Sequence, residues 1–392
     1  MKDPALIDTR EGLEALVQEL LRHPCLGVDT EGNSYFVYHE RLCLVQFSTG
    51  EGDYLLDPLA DLDFSPLGEV LENPAILKVF HDGEQDVVLL KRDLGLGVRG
   101  IFDTKVAGAG LGDGGVGLAA LAEKRLGVIL DKKCQRSNWG RRPLSSEQLR
   151  YATADTRYLI PLYLSLKEDL EKADPLVRRL VEGEFLRLEG LEPPVKERME
   201  YPFLRVRKAR SLDPKGLRNL ERLYARRDAE ARKLDLPPGR LVPDKVLYAL
   251  ARNGLPPKGR ELEDWCDLPR RSLRRHALWI RGALQEASRM EPLVLPPEMT
   301  RSRRKDPDLE AYLEALERVR SWRMEKAREL GVDPSLVLNR RVMEEAARRR
   351  PSSPEGFREI PGMESWRVEA FGGELAAAMN GKGPGNKRRK RG

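Results

Sequence analysis

Residues 26–32 read LGVDTEG, an apolar run closed by two acids, Asp29 and Glu31, two positions apart. At the C-terminal end of a β-strand this spacing puts both carboxylates on one side of the sheet, because strand side chains alternate with a period of two. The surroundings support a strand in an α/β setting. Leu13, Leu16, Val17, Leu20 and Leu21 recur at helical spacing from Arg10 to Arg22. Strand-like runs follow at Cys25–Thr30, Leu42–Ser48 and Asp53–Asp57, the last two joined as a hairpin by the short link TGEG. Ser65–Leu71 reads as helix and Ile76–Phe80 as a fourth strand. Helical patterning runs from Glu84 to Leu94 and recurs at Thr104–Leu111, Leu118–Leu126 and Ser145–Leu170. A strand meander followed by strand–helix crossovers predicts a mixed sheet with flanking helices.

Two further segments carry acids. In KVFHDGEQD (78–86), Asp86 falls in the first turn of the helix after the fourth strand. In YATAD (151–155), Tyr151 and Asp155 are four apart on a helix and share a face. With the two strand ends adjoining and the last helix crossing them, four carboxylates meet beside a tyrosine hydroxyl. Such a cluster repels itself unless cations neutralise it, and hard divalent cations prefer oxygen ligands. A pair of Mg²⁺ or Mn²⁺ ions held there would make a phosphoryl-transfer site. The tyrosine, with a pKa near ~10, would orient the attacking water rather than act as its base. Each acid also has a plainer reading. Asp-x-Glu arises by chance in an acid-rich chain, Asp86 suits any helix start through the helix dipole, and Tyr-x-x-x-Asp is common on amphipathic helices. The specific signal is the ordered set.

The net charge of +6 conceals an asymmetry. Residues 1–200 hold 25 Lys and Arg against 35 Asp and Glu, a net −10; residues 201–392 hold 44 against 28, a net +16. An acidic part joined to a basic part suits a metal-binding unit coupled to one that grips polyanions, beside the bland reading of solvated Arg/Glu helix faces. The four cysteines (Cys25, Cys43, Cys134 and Cys266) form no CxxC pair, which argues against a zinc site or a disulfide framework and fits a reducing compartment. No apolar run approaches bilayer length, and MKDPALIDTREG lacks the apolar core of a signal peptide. The expectation is a cytoplasmic protein, without membrane contact and monomeric.

Beyond about Glu184 the pattern is almost wholly helical and repeats at an offset of 96 residues. Leu217, Leu220, Glu221, Arg222, Arg227, Ala231, Arg232, Leu234, Pro238, Ala251 and Arg252 are matched by Leu313, Leu316, Glu317, Arg318, Arg323, Ala327, Arg328, Leu330, Pro334, Ala347 and Arg348. This spacing predicts two copies of one small helical bundle. Expected units are 1–195, 203–288 and 306–381, followed by a basic tail, 382–392.

The ordered set Asp-x-Glu, His-x-x-x-x-Asp and Tyr-x-x-x-Asp, with the long stretches VDTEGNSYFVYHERLCLVQFS and LDKKCQRSNWGRRPLSSEQLRYATADTRYLIPLY, resembles the ribonuclease D family. That family forms part of the tyrosine-bearing branch of the DEDD 3′–5′ exonucleases. The resemblance implies a ribonuclease H-like fold, Asp29, Glu31, Asp86 and Asp155 as ligands of two divalent metal ions, and Tyr151 as the residue placing the nucleophilic water. The repeat, through VRSWRMEKARELGVD and REIPGM, resembles tandem helicase-and-RNase-D C-terminal (HRDC) domains.

Lys132, Lys133, Arg136, Trp139, Arg141 and Arg142 precede the Tyr151 helix. They read either as a single-strand site, with phosphates on Lys132, Arg136 and Arg142 and a base on Trp139, or as a solvated loop with Trp139 plugging the core. His81 reads as a turn or core histidine near the site rather than a metal ligand, and Asp103 as a helix N-cap. The glycines from Gly108 to Gly117 read as a bend. The expected activity is 3′–5′ exoribonucleolysis releasing 5′-monophosphates from single-stranded 3′ ends, with tRNA precursors as the substrate the resemblance implies. The alternatives are a DNA 3′–5′ exonuclease in repair and a non-catalytic RNA-binding scaffold.

Overall fold

The computed structural model describes residues 6–130, 133–195, 199–257, 262, 270–296, 299 and 307–381. Lys132, Cys266 and the 382–392 tail lie outside them. A six-stranded mixed sheet organises the N-terminal part. Its strands are β1 (Leu6–Ile7), β2 (Cys25–Gly32), β3 (Leu42–Ser48), β4 (Asp53–Leu56), β5 (Leu77–Phe80) and β6 (Ile101–Asp103), in the order β1-β4-β3-β2-β5-β6. β2, β3 and β4 form the antiparallel meander, while β5 runs parallel to β2 and β6 parallel to β5.

The helix α1 (Arg10–Leu20) starts where the Thr9 side chain accepts from the Gly12 amide, and it buries Leu13, Leu16, Val17 and Leu20 on the sheet. On that same face lie Leu26 and Val28 of β2 with Val45 and Phe47 of β3. The opposite face, carrying Gly27, Asp29 and Glu31, is left for other helices. A tight turn at Ser65–Leu67 leads into α2 (Gly68–Leu71), and α3 (Glu84–Leu94), α4 (Thr104–Gly110) and α5 (Leu118–Leu126) follow. β1 and β6, of two and three residues, are too short to show a strand period. They are the strands that the periodicity does not predict.

The expected helix Ser145–Leu170 is two helices, α6 (Ser146–Arg157) and α7 (Leu159–Lys172), divided at Tyr158. Pro161 is the cause: it has no amide to give the Arg157 carbonyl, so the ladder breaks one turn earlier. Ser145 and Gln148 close a reciprocal capping box at the start of α6. At its end Arg157 pairs with Asp53 of β4. The start of α6 is thus fixed by its own cap and its end by the sheet. The helix α8 (Pro175–Glu189) completes this unit.

Two helical sets follow, and the 96-residue repeat is visible element by element. α9 (Pro214–Leu234), α10 (Pro238–Leu241) and α11 (Asp244–Asn253) precede α12 (Arg270–Ser288). The second set has α13 (Pro307–Leu330), α14 (Pro334–Val337) and α15 (Arg340–Arg349), then α16 (Pro354–Phe357) and α17 (Ser365–Met379). Arg227 donates to the Val242 carbonyl at 2.7 Å, and Arg323, 96 residues on, donates to Leu338 at 3.1 Å. The helix-ending residues Asp235 and Gly331 correspond as well, both at positive φ.

Each set is docked on the sheet unit. The first holds the segment after β2: the Tyr38 hydroxyl donates to Asp228 at 2.7 Å, its amide donates to Asp235, and the guanidinium of Arg232 lies over its ring. The second shares its core with Val177 and Leu180 of α8. Gly112, at positive φ, comes so close to it that a Cβ there would lie 2.4 Å from the Gly331 carbonyl oxygen.

Candidate active site

Asp29 and Glu31 reach the same side of the sheet from the end of β2, as their spacing predicts. The β2–β5 register pairs Gly27 with Val79, so β5 ends beside Val28 and its chain turns away level with Asp29. That turn, His81–Gly83, is pinned by Asp103, whose carboxylate accepts from the amides of Asp82 and Gly83 and also caps α4 through Lys105 and Val106. Asp103 is the N-cap its sequence context suggests. The turn delivers Asp86 in the first turn of α3, where its Oδ1 accepts from the Thr30 amide at 2.9 Å and the Thr30 hydroxyl at 2.5 Å. Sequence reasoning passes over Thr30; the polar residue between the two acids was the available signal.

Across this edge lies α6, bringing Asp155 and Tyr151. Carboxylate oxygens of Asp29, Glu31 and Asp155 lie within 4.8 Å of one another. Asp86 sits close enough for its charge to act on both Asp29 and Glu31. The Tyr151 hydroxyl donates to Asp155. Close approach of α6 depends on Gly27, where an added Cβ would meet the Thr156 carbonyl oxygen at 2.7 Å and Leu159 Cβ at 3.3 Å. Gly27→Ala is therefore expected to push the α6–α7 junction off β2, withdraw Asp155 and lower activity at least tenfold, measured as turnover on a 3′-labelled oligonucleotide beside a thermal melt.

The acids hold their protons unusually tightly. Burial, then the charges of Asp86, Glu31 and Asp155, pushes Asp29 well above the usual range, and burial with Asp155 and Asp86 takes Glu31 to about 9. Burial raises Asp86 to about 7 against the Thr30 hydrogen bonds, and Asp155 to about 6 against the Tyr151 hydroxyl. Tyr151 is itself raised, chiefly by burial and by Asp155. A dense set of carboxylate oxygens that cannot all ionise together fits a divalent cation, which supplies the missing positive charge.

Two measurable consequences follow from the upward direction of these shifts. Folded-state values above the unfolded ones give metal-free stability that is fully present below about pH 4 and lost as pH rises toward the folded values. Melts of metal-free protein should thus fall between pH 5 and 9, and millimolar Mn²⁺ should reverse the fall. Mn²⁺ affinity should rise over the same window, with proton release visible by calorimetry in buffers of different ionisation enthalpy.

The acids open onto a cleft of about 320 Å³ lined by Asp29, His81, Tyr151 and Asp155, with an apolar wall of Leu118, Ala119 and Leu130. His81 is held through Nδ1 to the Thr104 hydroxyl at 2.9 Å, and burial lowers its pKa to about 4. It is a neutral turn histidine at the cleft wall.

The basic loop before α6 divides. Trp139 is 1% exposed, its ring against Tyr151 at 6.1 Å, so it plugs the core and supports the tyrosine rather than offering a face to a base. Arg142 forks onto Asp57 and donates to the carbonyls of Trp139, Arg141 and Cys43, which leaves it a structural residue. Arg136 is exposed, and Gln135 lines the cleft.

Comparison with known proteins agrees with this geometry. A family model for the 3′–5′ exonuclease domain matches residues 4–171, and the HRDC domain model matches 217–280 and again 313–379. Ribonuclease D of Granulibacter bethesdensis is 31% identical over 97% of this chain and 93% of its own length. The chain belongs to the ribonuclease D family. Ribonuclease D of Haemophilus influenzae is 32% identical over 82% of the chain and 78% of its own. Among solved structures, the RRP6 catalytic core from Trypanosoma brucei aligns at 28% identity with a TM-score of 0.63, over 72% of this chain and 79% of that one. Escherichia coli RNase D aligns over 97% and 100% with a TM-score of 0.66 at 23% identity, a likeness of fold. As a member of this family, the protein is a 3′–5′ exoribonuclease with HRDC domains, of an exonuclease class that uses divalent metals. Among the described residues no helix is long and apolar enough to cross a membrane.

Proposed function

We propose that the protein removes nucleoside 5′-monophosphates one at a time from the 3′ ends of RNA in the cytoplasm, with Asp29, Glu31, Asp86 and Asp155 holding two divalent cations, Mg²⁺ or Mn²⁺. The observation that carries this reading is the meeting of carboxylate oxygens from β2 and α6 within 4.8 Å, at a cleft of about 320 Å³. When bound, such cations supply a water nucleophile at neutral pH and charge stabilisation at the attacking and leaving oxygens. The protein's own part is placement. Tyr151, whose proton is held more tightly than usual, stays a hydroxyl and positions the attacking water by a hydrogen bond, next to the Asp155 carboxylate it already touches. Leu118, Ala119 and Leu130 give the terminal base an apolar wall, which favours little base preference, beside the Gln135 amide that also lines the cleft.

Substrate delivery falls to the basic half. A net +16 beyond residue 200 provides salt-sensitive, sequence-tolerant contact with a folded RNA, whose single-stranded 3′ end then enters the cleft. We read 1–195 as the catalytic unit of a monomer, 203–288 and 306–381 as the RNA-holding units, and tRNA precursors as the substrate. Arg136, and Lys132 outside the described residues, are the loop cations kept as phosphate contacts. The test is digestion of 3′-extended tRNA beside RNA and DNA strands of matched sequence, with products resolved chromatographically. Nucleoside 5′-monophosphates, faster release from RNA than DNA, and arrest by excess chelator are expected. Equal or faster DNA digestion, or activity in chelator, would overturn the reading.

A further inference from the structure

Directly across the β2–β3 ladder from Asp29 stands Gln46. Opposed residues in an antiparallel pair share a face, with Cβ atoms roughly 4.5–5.5 Å apart. Gln46 interrupts the otherwise apolar run LCLVQF, is 0% exposed, and finds no hydrogen-bond partner for either Nε2 or Oε1. Two residues along the same face, Ser48 lies opposite Gly27, and its buried Oγ is likewise unpartnered. Over that pair sits Thr156, the residue after Asp155, whose buried Oγ1 also has no partner. Buried polar side-chain atoms are bonded in the large majority of cases, and leaving one unbonded is costly. Here four occur in one patch between the sheet and α6, beside the acid most deeply involved in the site. Core packing does not account for them, since Leu or Val would fill the same space without that cost.

We propose that Gln46 is a positioning residue for Asp29, with Ser48 and Thr156 completing a polar layer behind it. The proposal rests on reading Asp29 as a metal ligand. The donor and acceptor inventory is complementary: Gln46 Nε2 carries two N–H groups that can hold a carboxylate oxygen, and Oε1 accepts a hydroxyl proton from Ser48 or Thr156. Being uncharged, the layer steadies Asp29 without adding to the repulsion among the acids. In that role it would do for the first acid what the Thr30 hydrogen bonds do for Asp86.

The experiment is Mn²⁺ binding by full-length Gln46→Leu, followed by electron paramagnetic resonance without substrate, beside thermal melts of the metal-free protein. Affinity should fall ten- to a hundredfold, the typical effect of removing such support, while the metal-free melting temperature stays equal or rises. Thr156→Val and Ser48→Ala should shift affinity in the same direction by less. Wild-type Mn²⁺ affinity in Gln46→Leu, or a lost affinity that tracks a lowered metal-free melting temperature, would overturn the proposal. Should Gln46→Leu fail to fold, Thr156→Val decides: a native melt with unchanged affinity counts against the layer. Asp29→Asn serves as control. Unaltered binding there removes the ligand reading and this proposal together, whereas lost binding there with wild-type Gln46→Leu removes this proposal alone.

Discussion

Asp29→Asn is expected to lower exonucleolytic turnover by about three orders of magnitude or more, while leaving the protein folded. The substitution keeps size and shape and removes one anionic oxygen donor, at a site where metal-assisted charge stabilisation supplies several kcal/mol, each ~1.4 kcal/mol being tenfold. Stability should move the other way. Asp29 is raised by burial and by three neighbouring acids, so ionising it is costly without metal. The metal-free Asn variant should therefore melt no lower than the parent, and higher at pH 8 to 9. Single-turnover rates on 3′-labelled RNA and melts across pH check both arms. Loss of activity accompanied by a lowered melt would mean that Asp29 is a structural residue.

The second large effect concerns the union of the catalytic unit with the second HRDC set. Arg367 of α17 is 1% exposed and meets Glu184 of α8 at 3.0 Å. Glu184 also accepts from Arg187, and Arg187 reaches Glu84 at the start of α3, the helix that bears Asp86. Removing one partner of a buried ion pair strands the other, at about 3–5 kcal/mol. Arg187 remains for Glu184, so Arg367→Ala should sit near the lower figure. The expected result is a melting transition several degrees lower and early proteolytic release of residues beyond 300, with Mn²⁺ affinity unchanged because no acid of the site moves. Arg367→Met, which keeps an unbranched buried stem while giving up the guanidinium that lies over Trp366, should lose less. Equal melts for Arg367→Ala and the parent would show that the apolar contact with Val177 and Leu180 suffices alone.

Much of this arrangement is legible in the sequence. Period two in LGVDTEG places Asp29 and Glu31 together, the four-residue step aligns Tyr151 with Asp155, and the 96-residue diagonal anticipates paired helices down to the shared Arg227 and Arg323 bonds. What escaped was set by contacts distant in sequence. β1 and β6 exist because β4 and β5 offer edges to pair with, not because two or three residues carry a pattern. Trp139 and Arg142 sit in a basic run that looks like a nucleic-acid contact, yet Asp57, far upstream, and the Tyr151 ring claim them for the core. Gln46 goes unremarked in the sequence, one polar residue within an apolar strand. Its significance depends on knowing that Asp29 stands across from it.

The most direct test of the site is diffraction from crystals grown with millimolar Mn²⁺, collected for the anomalous signal of the metal. The account predicts a peak bounded by the carboxylates of Asp29, Glu31 and Asp155, and a second beside Asp29 and Asp86. Well-ordered crystals with no peak among these four acids, or with Mn²⁺ bound only elsewhere, would contradict it.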